Sequence, residues 1–161
     1  MSSNEQLLEM LRANTLKART LSYSPYSQFK VGCCLLVRDP NGGGVSGHHD
    51  TVIKVLGANV ENASYGNTIC AERTAMLKAM TSEEHAAAAR DPKNWLAIGI
   101  IGDNPEGFIS PCGICRQFIR EFLTPDTEND VPIYLFSHTA DNYKTTNISE
   151  LLPMSFGPDS L

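Results

Sequence analysis

The sequence predicts an α/β fold on three observations. Apolar or β-branched runs at residues 31–37, 51–60, 95–101, 131–136 and 143–146 read as five strands. Helical patterns fall around them, over 3–22, from Cys70 toward Ala89, and from Cys112 to about Phe122. Only residues 137–142 separate the last two strands, and a parallel crossover needs roughly a dozen residues, so that pair is antiparallel. With 161 residues and no repeat, linker or low-complexity tract, residues 1–161 form one domain.

In order along the chain, Ser3 and Gln6 can form a capping box. Leu7, Met10, Leu11, Ala18 and Leu21 then share one helical face that runs to about Ser22. Pro25 and its serines end that helix. Residues 31–37 are mostly apolar, as in a strand covered on both faces, and the adjacent Cys33 and Cys34 point to opposite sides as small core residues. The turn signal from Asp39 to Gly44 makes 31–37 and 51–60 a hairpin with a long tip. His48 and His49 lie on that tip and read as solvated loop residues. The helix starting near Cys70 is broken by Asp91-Pro92.

Composition removes several function classes. A net charge of −5 argues against a polyanion as main partner, so no nucleic acid is expected. No apolar run approaches the ~20 residues of a membrane span, so no membrane partner is expected, and the polar, acidic N-terminus lacks the form of a signal or transit peptide. Five cysteines is an odd number, and three have a better use than disulfides; the expected compartment is the reducing cytosol.

That use is carried by Cys70-Ala71-Glu72-Arg73 and Pro111-Cys112-Gly113-Ile114-Cys115. Cys112 and Cys115 have the spacing that lets two thiolates grip one zinc ion from a helix start, with Cys70 brought to them by the fold. Three protein ligands leave one tetrahedral position open, the mark of a catalytic site, and Glu72 can stand beside it as a proton carrier. The bland alternative is a structural Cys₄ module with Cys33 or Cys34 as fourth ligand. Three thiolates on Zn²⁺ carry a net charge that opposes ionisation of a bound water. Helix N-terminal amides, and Arg73 as a donor to a ligand sulfur, would draw that charge off. Arg116, one residue past the last ligand, is open between a similar role and an ordinary helix arginine.

Cys-Ala-Glu-Arg and Ser-Pro-Cys-Gly-Ile-Cys-Arg-Gln resemble the small homotetrameric zinc cytidine deaminases, a likeness extending from the Tyr23–Phe29 segment to Leu151–Pro158. The resemblance implies a three-layer α/β/α fold with a mixed five-stranded sheet. It also implies one zinc per subunit and deamination of cytidine and 2′-deoxycytidine in pyrimidine salvage, with Glu72 catalytic. Asn59 and Glu61 alternate at a strand end and face one way; they read either as loop caps or, by the resemblance, as the pair holding a ribose hydroxyl. The resemblance likewise gives substrate contacts to Phe29, Ala71, Tyr65 and Phe156, the last two reaching a neighbouring subunit's site. Tyr65 is followed by Gly66, where relatives more often have Pro. Among deaminases, a blasticidin type is disfavoured by Asn59, Glu61 and Ser155-Phe156-Gly157-Pro158. A polynucleotide type is disfavoured by the acidic charge and the short final strand turn.

Overall fold

The computed structural model describes residues 3–40, 42, 51–125 and 130–161, and its centre is one sheet of five strands. These are β1 (Val31–Asp39), β2 (Thr51–Ala58), β3 (Trp95–Gly102), β4 (Ile133–Phe136) and β5 (Tyr143–Thr146), in the order β2-β1-β3-β4-β5. β1 is antiparallel to both β2 and β3, β3 and β4 are parallel, and β4 and β5 are antiparallel, so the sheet is mixed as expected. The last pair closes through Ser137, whose N–H donates to the Asn142 carbonyl and whose own carbonyl accepts from Ala140. A short turn of that kind leaves no room for a crossover helix.

Helix α1 (Ser3–Arg19) covers one face; α2 (Ala71–Thr81), α3 (Ala86–Ala89), α4 (Gly113–Phe122) and α5 (Ile148–Leu151) cover the other. The alternation along β1 divides the core between these layers. Cys33, Leu35 and Val37 pack with Ala75, Met76, Ile119 and Ile148, whereas Cys34 and Leu36 pack with Leu11, Ile101 and Phe136. The neighbouring cysteines therefore serve two separate cores, and both are fully buried.

Several boundaries differ from the sequence reading; β1 and β3 run slightly further, to Asp39 and Gly102, and β2 stops at Ala58. α1 ends at Arg19, because i to i+3 bonds from Thr20 to Lys17 and from Leu21 to Ala18 tighten its last turn; Leu21 consequently leaves the apolar stripe and is exposed. The helix from Cys70 stops at Thr81 instead of continuing to Ala89. Ser82 takes an extended conformation and its hydroxyl accepts from the N–H groups of Glu84 and His85, a local competitor that restarts the chain as α3. β4 starts at Ile133, just past Pro132. The Gly/His tip, with His48 and His49, lies outside the described residues.

Candidate active site

Two helix starts face each other on the α2–α4 side of the sheet. Cys70 caps α2 and Cys112 caps α4, both with extended backbone and neither using its side chain as the cap, so the sulfurs are free to turn elsewhere. β2 lets α2 come close. A Cβ on Gly57 would lie 2.3 Å from the Ala75 nitrogen and 2.4 Å from the Ala71 carbonyl oxygen, so only glycine fits beneath this helix. The sulfurs of Cys70, Cys112 and Cys115 all lie within 4.8 Å of one another, with Cys70 and Cys112 at 3.9 Å. Among the described residues no fourth Cys, His or acidic ligand joins them; Cys33 and Cys34 lie elsewhere, against the structural Cys₄ alternative.

The donor set fits zinc: three soft thiols, two of them one helical turn apart, converge on one point from two helix N-termini whose amides favour thiolate. The Cys70 thiol is drawn down to about 5, first by a hydrogen bond from Cys115, then, against the cost of burial, by Arg73 and Cys112. Cys115 is pushed upward by the same bond and by burial, so the proton leaves Cys70 first.

Glu72 lies on the first turn of α2 and is 4 % exposed. Burial raises its carboxyl above the ordinary value, while its own backbone N–H and the Cys115 thiol work the other way. Arg73 donates from Nη2 to the Cys70 sulfur at 3.7 Å and to the Thr68 carbonyl at 3.1 Å. Arg116 touches no sulfur. Its guanidinium donates to the Pro111 and Leu151 carbonyls at 2.8 and 2.9 Å and to the Ser110 hydroxyl at 2.6 Å. It ties the loop entering Cys112 to the end of α5, a positioning contact that the sequence left open.

The other residues singled out in the sequence surround a second region. The extended pair Val60 and Ile69, bonded in both directions at 2.9 and 3.0 Å, brings the Asn59–Glu61 stretch beside Cys70. Asn59 Oδ1 accepts from the Ser22 hydroxyl at 2.6 Å and the Val31 N–H at 2.9 Å, and Nδ2 donates to the Phe29 carbonyl at 2.9 Å. One Nδ2 hydrogen remains. Glu61 accepts from the N–H groups of Tyr26 and Ser27, at 2.9 and 3.2 Å, and from the Ser27 hydroxyl. That hydroxyl above all, opposed by desolvation and aided by the two N–H groups, holds its carboxyl below the ordinary value. Both side chains thus fasten the 22–31 segment, which includes Gln28 at a φ of 58°, a conformation uncommon outside glycine and costing of order 1 kcal/mol. Glu61, Tyr26, Ser27, Tyr65 and Thr68 line one open cleft. Thr68 belongs to both regions, since its carbonyl also receives Arg73. Ala71 is fully buried, whereas Phe29, Tyr65 and Phe156 are 38, 77 and 63 % exposed. Phe156 is far along the chain in the tail, whose backbone is held on α4 by Gln117, with Nε2 donating to the Phe156 carbonyl at 3.1 Å.

Residues 1–127 match the family model described as the cytidine and deoxycytidylate deaminase zinc-binding region. The chain belongs to this family. Among curated relatives, a cytidine deaminase of Sporosarcina psychrophila is 37 % identical over 96 % of this chain and 94 % of its own length. Another, from Halalkalibacterium halodurans, is 38 % identical over 95 % of this chain and 96 % of its own. The crystal structure of a cytidine deaminase from Burkholderia pseudomallei superposes with a TM-score of 0.72 at 34 % identity, covering 97 % of this chain and all of that one. Zinc is therefore the metal expected of the deaminase family at the cysteine triad.

Proposed function

We propose that the chain is a zinc-dependent cytidine deaminase that converts cytidine and 2′-deoxycytidine, with one water, to uridine or 2′-deoxyuridine and ammonia, in pyrimidine salvage. One observation carries the reading: three thiols converge with no fourth ligand among the described residues, and the buried carboxyl of Glu72, two positions from Cys70, stands beside them. Cys70, Cys112 and Cys115 would hold the zinc ion, which when bound supplies Lewis-acid activation of a water at neutral pH.

The chain's own groups then carry the protons. Glu72 takes a first proton from the attacking water and gives it to N3 of the base, then takes the remaining proton of the new hydroxyl on C4 and passes it to the departing amine. Its raised carboxyl value suits this work, because a general base functions best when its pKa lies near the operating pH. Arg73 withdraws charge from the Cys70 thiolate and holds the Thr68 loop in the same contact.

On the substrate side, Glu61 and the remaining Nδ2 hydrogen of Asn59 receive a ribose hydroxyl, and Ala71 and Phe29 border the base. Tyr65 and Phe156 act in a neighbouring subunit's site within a homotetramer. Their rings, which expose most of their surface, are available for such a contact. Thiol ligands suit the reducing cytosol, and no described helix is long and apolar enough to cross a membrane.

The test offers zinc-loaded protein cytidine, 2′-deoxycytidine, CMP and blasticidin S in parallel and follows ammonia release. Release from the two nucleosides alone is expected; release from blasticidin S alone, or from none, would remove the proposal.

A further inference from the structure

An arginine on α4 is the least expected residue in the core. Arg120 is 1 % exposed and is among the largest fully buried side chains, although it carries a full charge. Burying such a group is costly unless its donors are used. Its donors go to the tail. Nε donates to the Ser155 hydroxyl at 2.8 Å, and Nη2 donates to Asp159 Oδ1 in a short ion pair. Among the described residues Nη1 is buried without a partner, so only the tail neutralises this charge.

Between those two contacts the chain passes directly over the guanidinium. A Cβ on Gly157 would lie 2.3 Å from both Cζ and Nη1 and 2.5 Å from Nη2. Only a residue without a side chain can cross there while the two bonds are kept. Gln117, one turn earlier on the same helix, holds the Phe156 carbonyl at 3.1 Å. Ser155, Phe156, Gly157 and Asp159 are therefore fixed by α4 at three points, while the Phe156 ring itself stays 63 % exposed. The helix that fixes them is the one whose first turn carries Cys112 and Cys115.

From this geometry we infer that Arg120, with Asp159 and Gly157 as its counterparts, is a positioning residue that aims Phe156 from the zinc-bearing helix toward the base. The inference rests on the substrate contact proposed for Phe156. Among the described residues the Arg120 side chain bonds to Ser155 and Asp159, and to neither the thiols nor the cleft lined by Glu61 and Tyr65. Its influence on the reaction runs through the tail. The tail's backbone is held by its own helix, which leaves its ring free to serve another chain's site. A flexible terminus would lose entropy each time it closed over substrate; the clamp removes most of that loss before binding.

The experiment compares zinc-loaded Asp159→Ala, Arg120→Met, Phe156→Ala and the double variant Phe156→Ala/Asp159→Ala. Each is read by KM and kcat for cytidine, zinc content and amide hydrogen exchange over 155–160. Asp159 is half exposed, so its variant tests the clamp even if Arg120→Met fails to fold. The clamp predicts faster tail exchange and a KM raised roughly 2- to 10-fold, the worth of one aromatic contact, at unchanged kcat and zinc content. In the Phe156→Ala background, Asp159→Ala should raise KM no further. A raised KM in Phe156→Ala with wild-type KM in Asp159→Ala, or effects that simply add, would overturn the positioning role. An unchanged KM in Phe156→Ala would instead remove the assignment of Phe156 and the positioning role with it, and the exchange data would then decide whether the clamp exists at all.

Discussion

The metal corner and the substrate cleft are built on opposite plans. At the metal corner the groups come from one chain and already converge: three sulfurs lie within 4.8 Å, Glu72 is buried beside them, and Arg73 reaches Cys70. In the cleft the polar groups are engaged, while the Tyr65 ring meets only Tyr26, edge to face with centroids 6.3 Å apart. Asn59 and Glu61 fasten the 22–31 segment, while Tyr65 and Phe156 expose most of their surface. Under the proposed function, the difference assigns the metal and proton chemistry to one chain and part of the wall around the base to a neighbour.

The largest expected effect comes from breaking the metal corner itself. Cys112→Ala removes a ligand that joins the start of α4 to Cys70, and it should cost bound zinc, all measurable turnover and much of the stability that metal binding contributes to the fold. Metal analysis is the check. One zinc per chain with full activity would mean that the thiol triad is not the metal site.

Glu72→Gln comes next and separates the metal from the proton work. The amide keeps the shape but cannot shuttle protons, so zinc should remain while turnover falls by about 10²–10⁴ or more, since one carboxyl serves several transfers. Near-normal turnover in a zinc-loaded variant would assign the proton transfers to another group.

The same contrast explains what was legible in the sequence. The thiols, Glu72 and Arg73 sit within two short segments at helix starts, where spacing alone fixes geometry, and the structure brings these residues together. The strands and the antiparallel final pair were legible too, because periodicity and a six-residue connection are local facts. The break after Thr81 was not, because an alanine-rich run carries no sign that the Ser82 hydroxyl will capture two backbone donors. The bonds of Asn59 were half legible: alternation gave the direction of the side chain, but its partners Ser22, Phe29 and Val31 are set by how the chain returns past β2. Arg116 and Arg120 look alike on paper, two arginines one turn apart on an amphipathic helix. Only the tertiary fold shows one gripping the Pro111 loop and the other buried under the tail.

A smaller effect is expected from Arg73→Gln, which leaves every proposed ligand in place. Without the guanidinium, thiolate charge stays on the metal, and water there ionises less readily. Turnover should fall roughly 10- to 100-fold with zinc retained, and the acid limb of the pH–rate profile should move to higher pH. An unchanged profile would leave Arg73 only its contact with the Thr68 carbonyl.

The smallest effect tests the open half of the site, and it turns on which subunit receives Phe156. Phe156→Ala alone should raise KM for cytidine roughly 2- to 10-fold, too little by itself to tell a ring in its own site from a ring lent to a neighbour. Mixing resolves the two. Chains carrying Glu72→Gln and chains carrying Phe156→Ala are unfolded, combined in equal amounts and reassembled with zinc. If each site uses its own Glu72 and a neighbour's Phe156, then a Phe156→Ala chain beside a Glu72→Gln chain has both groups intact. At cytidine concentrations well below KM, activity per Phe156→Ala chain should then exceed that of the unmixed Phe156→Ala protein. If the ring serves its own subunit, no arrangement of these two parents restores a complete site. Activity per chain then stays at the unmixed level in oligomers confirmed to contain both. The gain is bounded by the fraction of neighbours that are Glu72→Gln, so its growth with excess of that otherwise inactive parent gives a second check.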